Sequence, residues 1–217
     1  AMGAKIEGAG TRRILIEGVA ELHGAEHEVI PDRIEAGTYL VAGAIAGNAV
    51  TLKNVVPEHV ASVAKALSDA GYALEAGDRA ITVRGNGPSG PLKLTTEPYP
   101  GFPTDMQAQY MALATQARGA SVITETIFEN RYLHASEMIR MGADISIDGR
   151  RAVVRGPSPL SGANIIASDL RASASLVLAA LVAKGQTVVD RVYHIDRGYE
   201  RIEEKLSAVG ARIRRVR

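Results

Sequence analysis

Arg131, Arg171 and Arg197 each fall where a helical pattern begins, and that is where a guanidinium is least favoured. The positive end of a helix dipole disfavours a cation there by about 0.3–1 kcal/mol. A bound anion reverses the sign, because first-turn N–H groups and a guanidinium fork together make a receptor for phosphate or carboxylate. Asp105 is the fourth residue of interest. It follows three prolines, at 98, 100 and 103, in "EPYPGFPTDMQAQY". Proline fixes φ and restricts the residue before it, so the approach to Asp105 is stiff. Thr104 is placed to cap the helix that follows, which leaves the Asp105 carboxylate free to point elsewhere. Asp32 and Asp169 occupy matching places, and side-chain capping of a first turn is the expectation for them.

Other chemistries find little support. The 217 residues contain no cysteine, so disulfides, thiolate metal sites and a thiol nucleophile from this chain are excluded. His23, His27, His59, His134 and His194 lack metal-ligand spacing and read as solvated or helix-face side chains, so no metal and no cofactor is expected. Met106, Met111, Met138 and Met141 sit at helical spacings and are expected to fill the core. There is no phosphate-binding loop, nucleophile elbow or dinucleotide fingerprint. With 25 basic and 24 acidic side chains the net charge is +1, which gives no field for nucleic acid or a membrane surface. The most apolar run, "SLVLAALVA", is far below the roughly 20 residues of a membrane span. A cytoplasmic, soluble chain is the expectation. "RIRRVR" at residues 212–217 is read as a charged strand guarding a sheet edge.

The elements that must position Asp105 and the arginines come in copies. Gly47, Gly119 and Gly185 each follow an apolar helix pattern, and Gly71, Gly142 and Gly210 come 24, 23 and 25 residues later. Each copy has a helix-start signal: Asp32 with Glu35, Thr104 with Gln107, Ser168 with Asp169. The first helix of each copy is apolar or small around most of its circumference, as an enclosed helix requires. A β-run follows, and then a helix with one apolar face, at Val60, Val63, Leu67 and Ala70 in the first copy and Tyr199, Ile202, Leu206 and Val209 in the third. A hairpin closes the copy, most plainly with Asp148-Gly149 at its turn. The unit reads β-α-β-α-β-β. The expected class is α/β (α+β), three units at about 30–86, 87–157 and 158–217, inner helices buried together about a common axis and sheets outside. Residues 1–29 carry a hairpin resembling "GADISIDGRRAVVRG", as if closing an earlier copy. The third copy stops before its last strand, which predicts an unpaired edge after Arg217 and a longer parent protein.

The motifs "FPTDMQAQY", "ITETIFENRYLH", "SDLRASASL" and "DRVYHIDRGYERI" resemble, in order and over nearly the whole chain, the C-terminal part of bacterial enolpyruvyl transferases acting on UDP-N-acetylglucosamine. That resemblance implies two lobes of three such units each, with substrates between them. Residues 1–29 would be the last piece of the other lobe and residues 30–217 the C-terminal lobe. It also implies transfer of an enolpyruvyl group from phosphoenolpyruvate to the 3-hydroxyl of UDP-N-acetylglucosamine, in peptidoglycan precursor synthesis. By the same likeness Asp105 would be the base, and Ile127 with Phe128 would contact the nucleotide sugar. Arg131, Arg171 and Arg197 would hold phosphoenolpyruvate, while Asp169 would orient them and take part in proton movement. The family's loop acid, usually a cysteine, and its Lys-Asn pair lie outside these 217 residues, so the chain alone is expected not to turn over. Two alternatives stay open. A 5-enolpyruvylshikimate-3-phosphate synthase-like enzyme would differ in its acceptor. A noncatalytic repeat-built binding module would pair its arginines internally and be indifferent to Arg197→Ala.

Overall fold

The computed structural model describes residues 1–87 and 89–216, which form two compact units, Ala1–Pro31 and Asp32–Arg217. The first unit is a small antiparallel hairpin of β1 (Lys5–Glu7) and β2 (Leu15–Glu17), with Ile6 opposite Ile16. Its turn is closed by Thr11, whose hydroxyl donates to the Gly8 carbonyl at 2.7 Å.

The second unit repeats one sequence of elements. Its first copy has α1 (Arg33–Ala46), β3 (Ala49–Lys53), α2 (Ala61–Asp69), β4 (Ala73–Ala76) and β5 (Ala80–Arg84). The second has β6 (Lys93–Thr95), α3 (Gln107–Ala114), β7 (Gly119–Thr124), α4 (Leu133–Arg140), β8 (Asp144–Asp148) and β9 (Arg151–Gly156). The third has β10 (Asn164–Ile166), α5 (Leu170–Val182), β11 (Val188–Asp190), α6 (Tyr193–Asp196) and α7 (Ile202–Ala208). The second copy shows the whole β-α-β-α-β-β unit, in sheet order β6-β7-β9-β8, with β6 parallel to β7 and the other pairs antiparallel. The first copy reproduces the antiparallel part as β3-β5-β4, and the third reproduces the parallel pair β10-β11.

Two expectations about strands are corrected. No strand opens the first copy among residues 18–31, and residues 211–216 form none. A strand needs a paired ladder, and no described segment pairs with 211–216. Arg215 there binds Asp196 at 2.6 and 2.9 Å and Glu203 at 2.9 Å, so this basic run is tied down by carboxylates of its own copy. The edge expected after Arg217 lies outside the described residues.

Helices α1, α3 and α5 pack on one another in all three pairings, and most of their residues are buried, all eight in α3. Small side chains allow this: a Cβ on Gly37 of α1 would stand only 2.9 Å from the Met106 sulfur. Met106, Met111, Met138 and Met141 are all fully buried. The six repeat-marking glycines all have positive φ, from 71° at Gly47 to 103° at Gly142 and Gly210; Gly47, Gly71, Gly142 and Gly210 stand directly at helix ends, whereas Gly119 opens β7 and Gly185 lies three residues past α5. In the third copy the outer helix is broken at Arg201, whose φ is 45°. Tyr199, Ile202 and Leu206 remain buried, but Val209 lies past the end of α7 and is exposed, contrary to the continuous apolar face expected.

The proline-rich approach folds back on itself before α3. Gly101 N donates to Pro98 O at 2.8 Å and Glu97 N to Phe102 O at 2.9 Å. Phe102 packs edge-on against Tyr110 of α3 with ring centroids 4.8 Å apart. This anchors the chain immediately before the 3-10 turn Thr104–Met106 that carries Asp105.

Candidate functional site

Asp105 lies between two guanidinium groups. Arg131 Nη2 donates to its Oδ1 at 2.7 Å and Arg171 Nη2 to its Oδ2 at 3.4 Å. The three side chains are 39%, 29% and 15% exposed respectively, so the cluster is half open to solvent. Arg131 and Arg171, with Thr104, Gln107, Phe128, Glu129 and Asp169, line a cleft of about 320 Å³, and Asp105 reaches it through the two arginines. The Asp105 carboxylate is shared by two guanidiniums, so an incoming anion would compete with it for the same donors, while Glu129 and Asp169 also line the cleft and offset the arginines' charge.

Thr104 does not cap α3, contrary to expectation. Its hydroxyl donates to Glu125 Oε2 at 2.7 Å and accepts from Arg131 Nη1 at 2.7 Å. Glu125 is a functional candidate that sequence reasoning missed. It is 1% exposed and its carboxylate also accepts from Thr96 Oγ1 and Ile127 N, both at 2.8 Å, and from Phe128 N at 3.1 Å. The signal was the acid at the end of the apolar "SVIT" strand, where an ionised group must be fully hydrogen-bonded. The Ile127 and Phe128 N–H groups are thereby used inside the chain. What residues 127 and 128 present outward is the Phe128 ring, exposed and 5.1 Å from the Arg131 guanidinium.

Asp169 behaves as Asp32 does. Asp32 Oδ1 accepts from Ile34 N and Glu35 N, and Asp169 Oδ1 from Arg171 N and Ala172 N at 2.9 and 2.8 Å. Asp105 is offset from these two caps, which is why its carboxylate is available to the arginines. The cap also corrects the anion-receptor expectation, because Asp169 already fills two first-turn N–H groups of α5. Of the three arginines only Arg171 stands in a first turn. Arg131 precedes α4 by two residues, and Arg197 follows the four-residue α6 at its C-terminal end, where a cation is not disfavoured. Arg197 is exposed and has no hydrogen bond or ion pair among the described residues, so the structure unites Asp105, Arg131 and Arg171 and leaves Arg197 apart.

His134, expected on a wet face, is instead 3% exposed beneath the cleft, with Nε2 unpartnered. Burial lowers its pKa to about 4, with Asp169 opposing and Arg131 assisting. A group whose folded pKa lies below its unfolded value stabilises above the unfolded pKa and loses that contribution as pH falls. Stability should therefore decline from about pH 6.5 to about pH 4 by on the order of 3 kcal/mol from this residue. Urea unfolding of His134→Gln beside the parent chain checks this. The difference between their midpoints should change with pH across that window, and parallel profiles would refute the assignment.

Gln107 at the N-terminus of α3 is also buried, with neither amide atom hydrogen-bonded. It lies close enough to Tyr132 to counter part of the burial that raises that hydroxyl's pKa. Among the described residues no three His, Cys, Asp or Glu side chains could hold a metal ion, and no helix is long and apolar enough to cross a membrane.

Comparison with known proteins gives this cluster a setting. A UDP-N-acetylglucosamine 1-carboxyvinyltransferase of Koribacter versatilis is 60% identical over 215 residues, covering 99% of this chain and 50% of the relative. One from Solibacter usitatus is 62% identical over 216 residues, covering 99% and 52%. The chain thus spans about half the length of the curated relatives it matches. The crystal structure of the enolpyruvyl transferase NikO from Streptomyces tendae superposes with a TM-score of 0.87 at 30% identity, covering 98% of this chain and 51% of that one. An EPSP synthase from Acinetobacter baumannii, at 19% identity and TM-score 0.58, shares the fold over 73% of this chain. The family model for EPSP synthase (3-phosphoshikimate 1-carboxyvinyltransferase) matches residues 1–206. The repeated unit and the Asp105 cluster therefore stand in a chain that belongs to the EPSP synthase family of enolpyruvyl-transferring enzymes.

Proposed function

We propose that this chain supplies one side of an active centre that moves an enolpyruvyl group from phosphoenolpyruvate to the 3-hydroxyl of UDP-N-acetylglucosamine, as a step toward peptidoglycan precursors. The observation that carries the reading is the Asp105 carboxylate held between Arg131 and Arg171 at the edge of a cleft. The three repeats are read as an arrangement about a pseudo-threefold axis, supported by the mutual packing of α1, α3 and α5.

Phosphoenolpyruvate brings a carboxylate and a phosphate, and cations fixed in place before it arrives lower the cost of desolvating them. Arg131 and Arg171 are so fixed, through Thr104 and Asp105. As the substrate anion draws the guanidiniums, Asp105 is released to accept the acceptor's hydroxyl proton, a general-base role. The exposed Phe128 ring offers an apolar face to the sugar. Arg197, unpaired and exposed, would close on phosphate only with movement of its segment, and Asp169 orients Arg171 through the α5 cap. With no cysteine in the chain, a thiol acid would have to come from elsewhere.

The acceptor preference follows the names of relatives near 60% identity, while a shikimate-phosphate acceptor is the competing reading. A noncatalytic module would pair its arginines internally: Arg131 and Arg171 are paired through Asp105, whereas Arg197 has no partner among the described residues. Titration of the chain with phosphoenolpyruvate, UDP-N-acetylglucosamine and shikimate 3-phosphate, followed by NMR, tests the proposal. Signals of Phe128, Arg131 and Arg171 should move with the first two ligands only. Arg171→Ala should weaken phosphoenolpyruvate about 10- to 100-fold, the range for losing a hydrogen bond to a charged group. Response to shikimate 3-phosphate alone, or to none of the three, would overturn it.

A further inference from the structure

Arg171 is held from behind as well as from the cleft. Its Nη1 donates to the Tyr199 hydroxyl at 3.2 Å, and its guanidinium lies 5.6 Å from the centre of the same ring. Tyr199 is fully buried, and its hydroxyl is 2.9 Å from Thr38 Oγ1. Gln109 Nε2 donates to both of these oxygens, at 3.1 and 3.3 Å. Thr38 Oγ1 donates its own proton to the Ile34 carbonyl at 2.8 Å, so the proton between Thr38 and Tyr199 must come from the tyrosine. The Tyr199 oxygen is thereby left to accept from Arg171 and Gln109. One polar chain runs through the buried centre, with Thr38 from α1, Gln109 from α3, Arg171 from α5 and Tyr199 from the segment between α6 and α7.

We propose that Tyr199, oriented by Thr38 and Gln109, is the positioning residue for Arg171, so that all three repeats jointly set where this guanidinium meets the anionic substrate. This rests on the function proposed above. Buried polar groups are costly unless partnered, and here every side-chain polar atom of Thr38, Gln109 and Tyr199 is used except Gln109 Oε1, which is buried without a partner; the bonds that are made restrict the network to one arrangement. The place of the network is informative. Aliphatic side chains would fill this centre as well, yet Thr38, Gln109 and Tyr199 converge on Arg171, one of the two arginines that reach both Asp105 and the cleft. A guanidinium held only by Asp105 would follow that carboxylate when it turns to its proton. Held also by Tyr199, it stays in place.

The test uses the 217-residue chain with phosphoenolpyruvate as probe. Tyr199→Phe keeps the packing and removes the hydroxyl, and Thr38→Val removes the group that orients it without touching the cleft. Leu67→Val, in the core of the first repeat, controls for loss of stability alone. Expected for Tyr199→Phe are an about tenfold weaker dissociation constant and a shifted, faster-exchanging Arg171 Nε–H signal, with the same trend in Thr38→Val. Leu67→Val should lower the melting temperature and leave both readouts unchanged. If Arg171→Ala weakens binding while both network variants bind as the parent with an unmoved Arg171 signal, the positioning role is wrong and the site reading survives. If Arg171→Ala itself has no effect, the site reading has failed first.

Discussion

Glu125→Ala is expected to destabilise the second unit by about 3–5 kcal/mol, the largest stability effect of any single side chain near the cleft. Glu125 accepts from two hydroxyls and two backbone N–H groups at 2.7–3.1 Å in a position 1% exposed. Truncation leaves four donors facing a void, each costing about 1–3 kcal/mol if orphaned. Hydroxyls can rotate toward other acceptors and water can enter, so the sum falls below four full penalties. Glu125→Gln preserves the volume but turns an amide N–H₂ toward donors, and should cost less than Ala. Glu129, four residues on and exposed, makes only a surface pair with Arg150, and its replacement by Ala should change stability by less than about 0.5 kcal/mol. Urea unfolding of the three variants decides the matter. A cost below about 1 kcal/mol for Glu125→Ala would mean the carboxylate is not what holds residues 126–131. Even where the variant is folded, its cleft should bind anions more weakly, because Thr104 links this carboxylate to Arg131.

The repeat was legible because it is written in residues with strict backbone or burial demands. Gly47, Gly119 and Gly185 must take positive φ, and enclosed helices must be apolar all round, so spacing and composition suffice to find them. Asp32 and Asp169 were readable as caps for the same local reason. The site was only half legible. Asp105, Arg131 and Arg171 stood out as charges in unusual local positions, and they do converge. Arg197 stood out equally but lies beyond α6, because a left-handed residue at Arg201 divides what read as one helix. Nothing in a periodic pattern marks such a break. Glu125, Gln107 and the Thr38–Gln109–Tyr199 network escaped notice because their meaning is tertiary. A buried acid, amide or hydroxyl looks like any surface polar residue until its partners, as far as 161 positions away, are brought to it.

Asp105→Asn should move binding and turnover in opposite directions, which separates a base from a structural counter-ion. The substitution preserves shape and removes one negative charge. In the 217-residue chain, Arg131 and Arg171 then face the cleft without their internal anion, and phosphoenolpyruvate no longer competes with it. Its affinity should rise about threefold to tenfold, corresponding to one half-exposed ion pair of about 1 kcal/mol. In a polypeptide of the relatives' full length, the same change removes the group proposed to accept the hydroxyl proton. There kcat should fall by about 10²–10⁴, the usual contribution of a positioned base, while KM for phosphoenolpyruvate does not rise. Asp105→Ala should reproduce the gain in anion affinity, since the charge rather than the amide is responsible. A carboxylate that merely held the two arginines in place would give the reverse pattern, with affinity and turnover lost together as the guanidiniums drift. Turnover within about tenfold of the parent would remove Asp105 from the chemistry altogether and leave the proton to another acceptor bordering the same cleft.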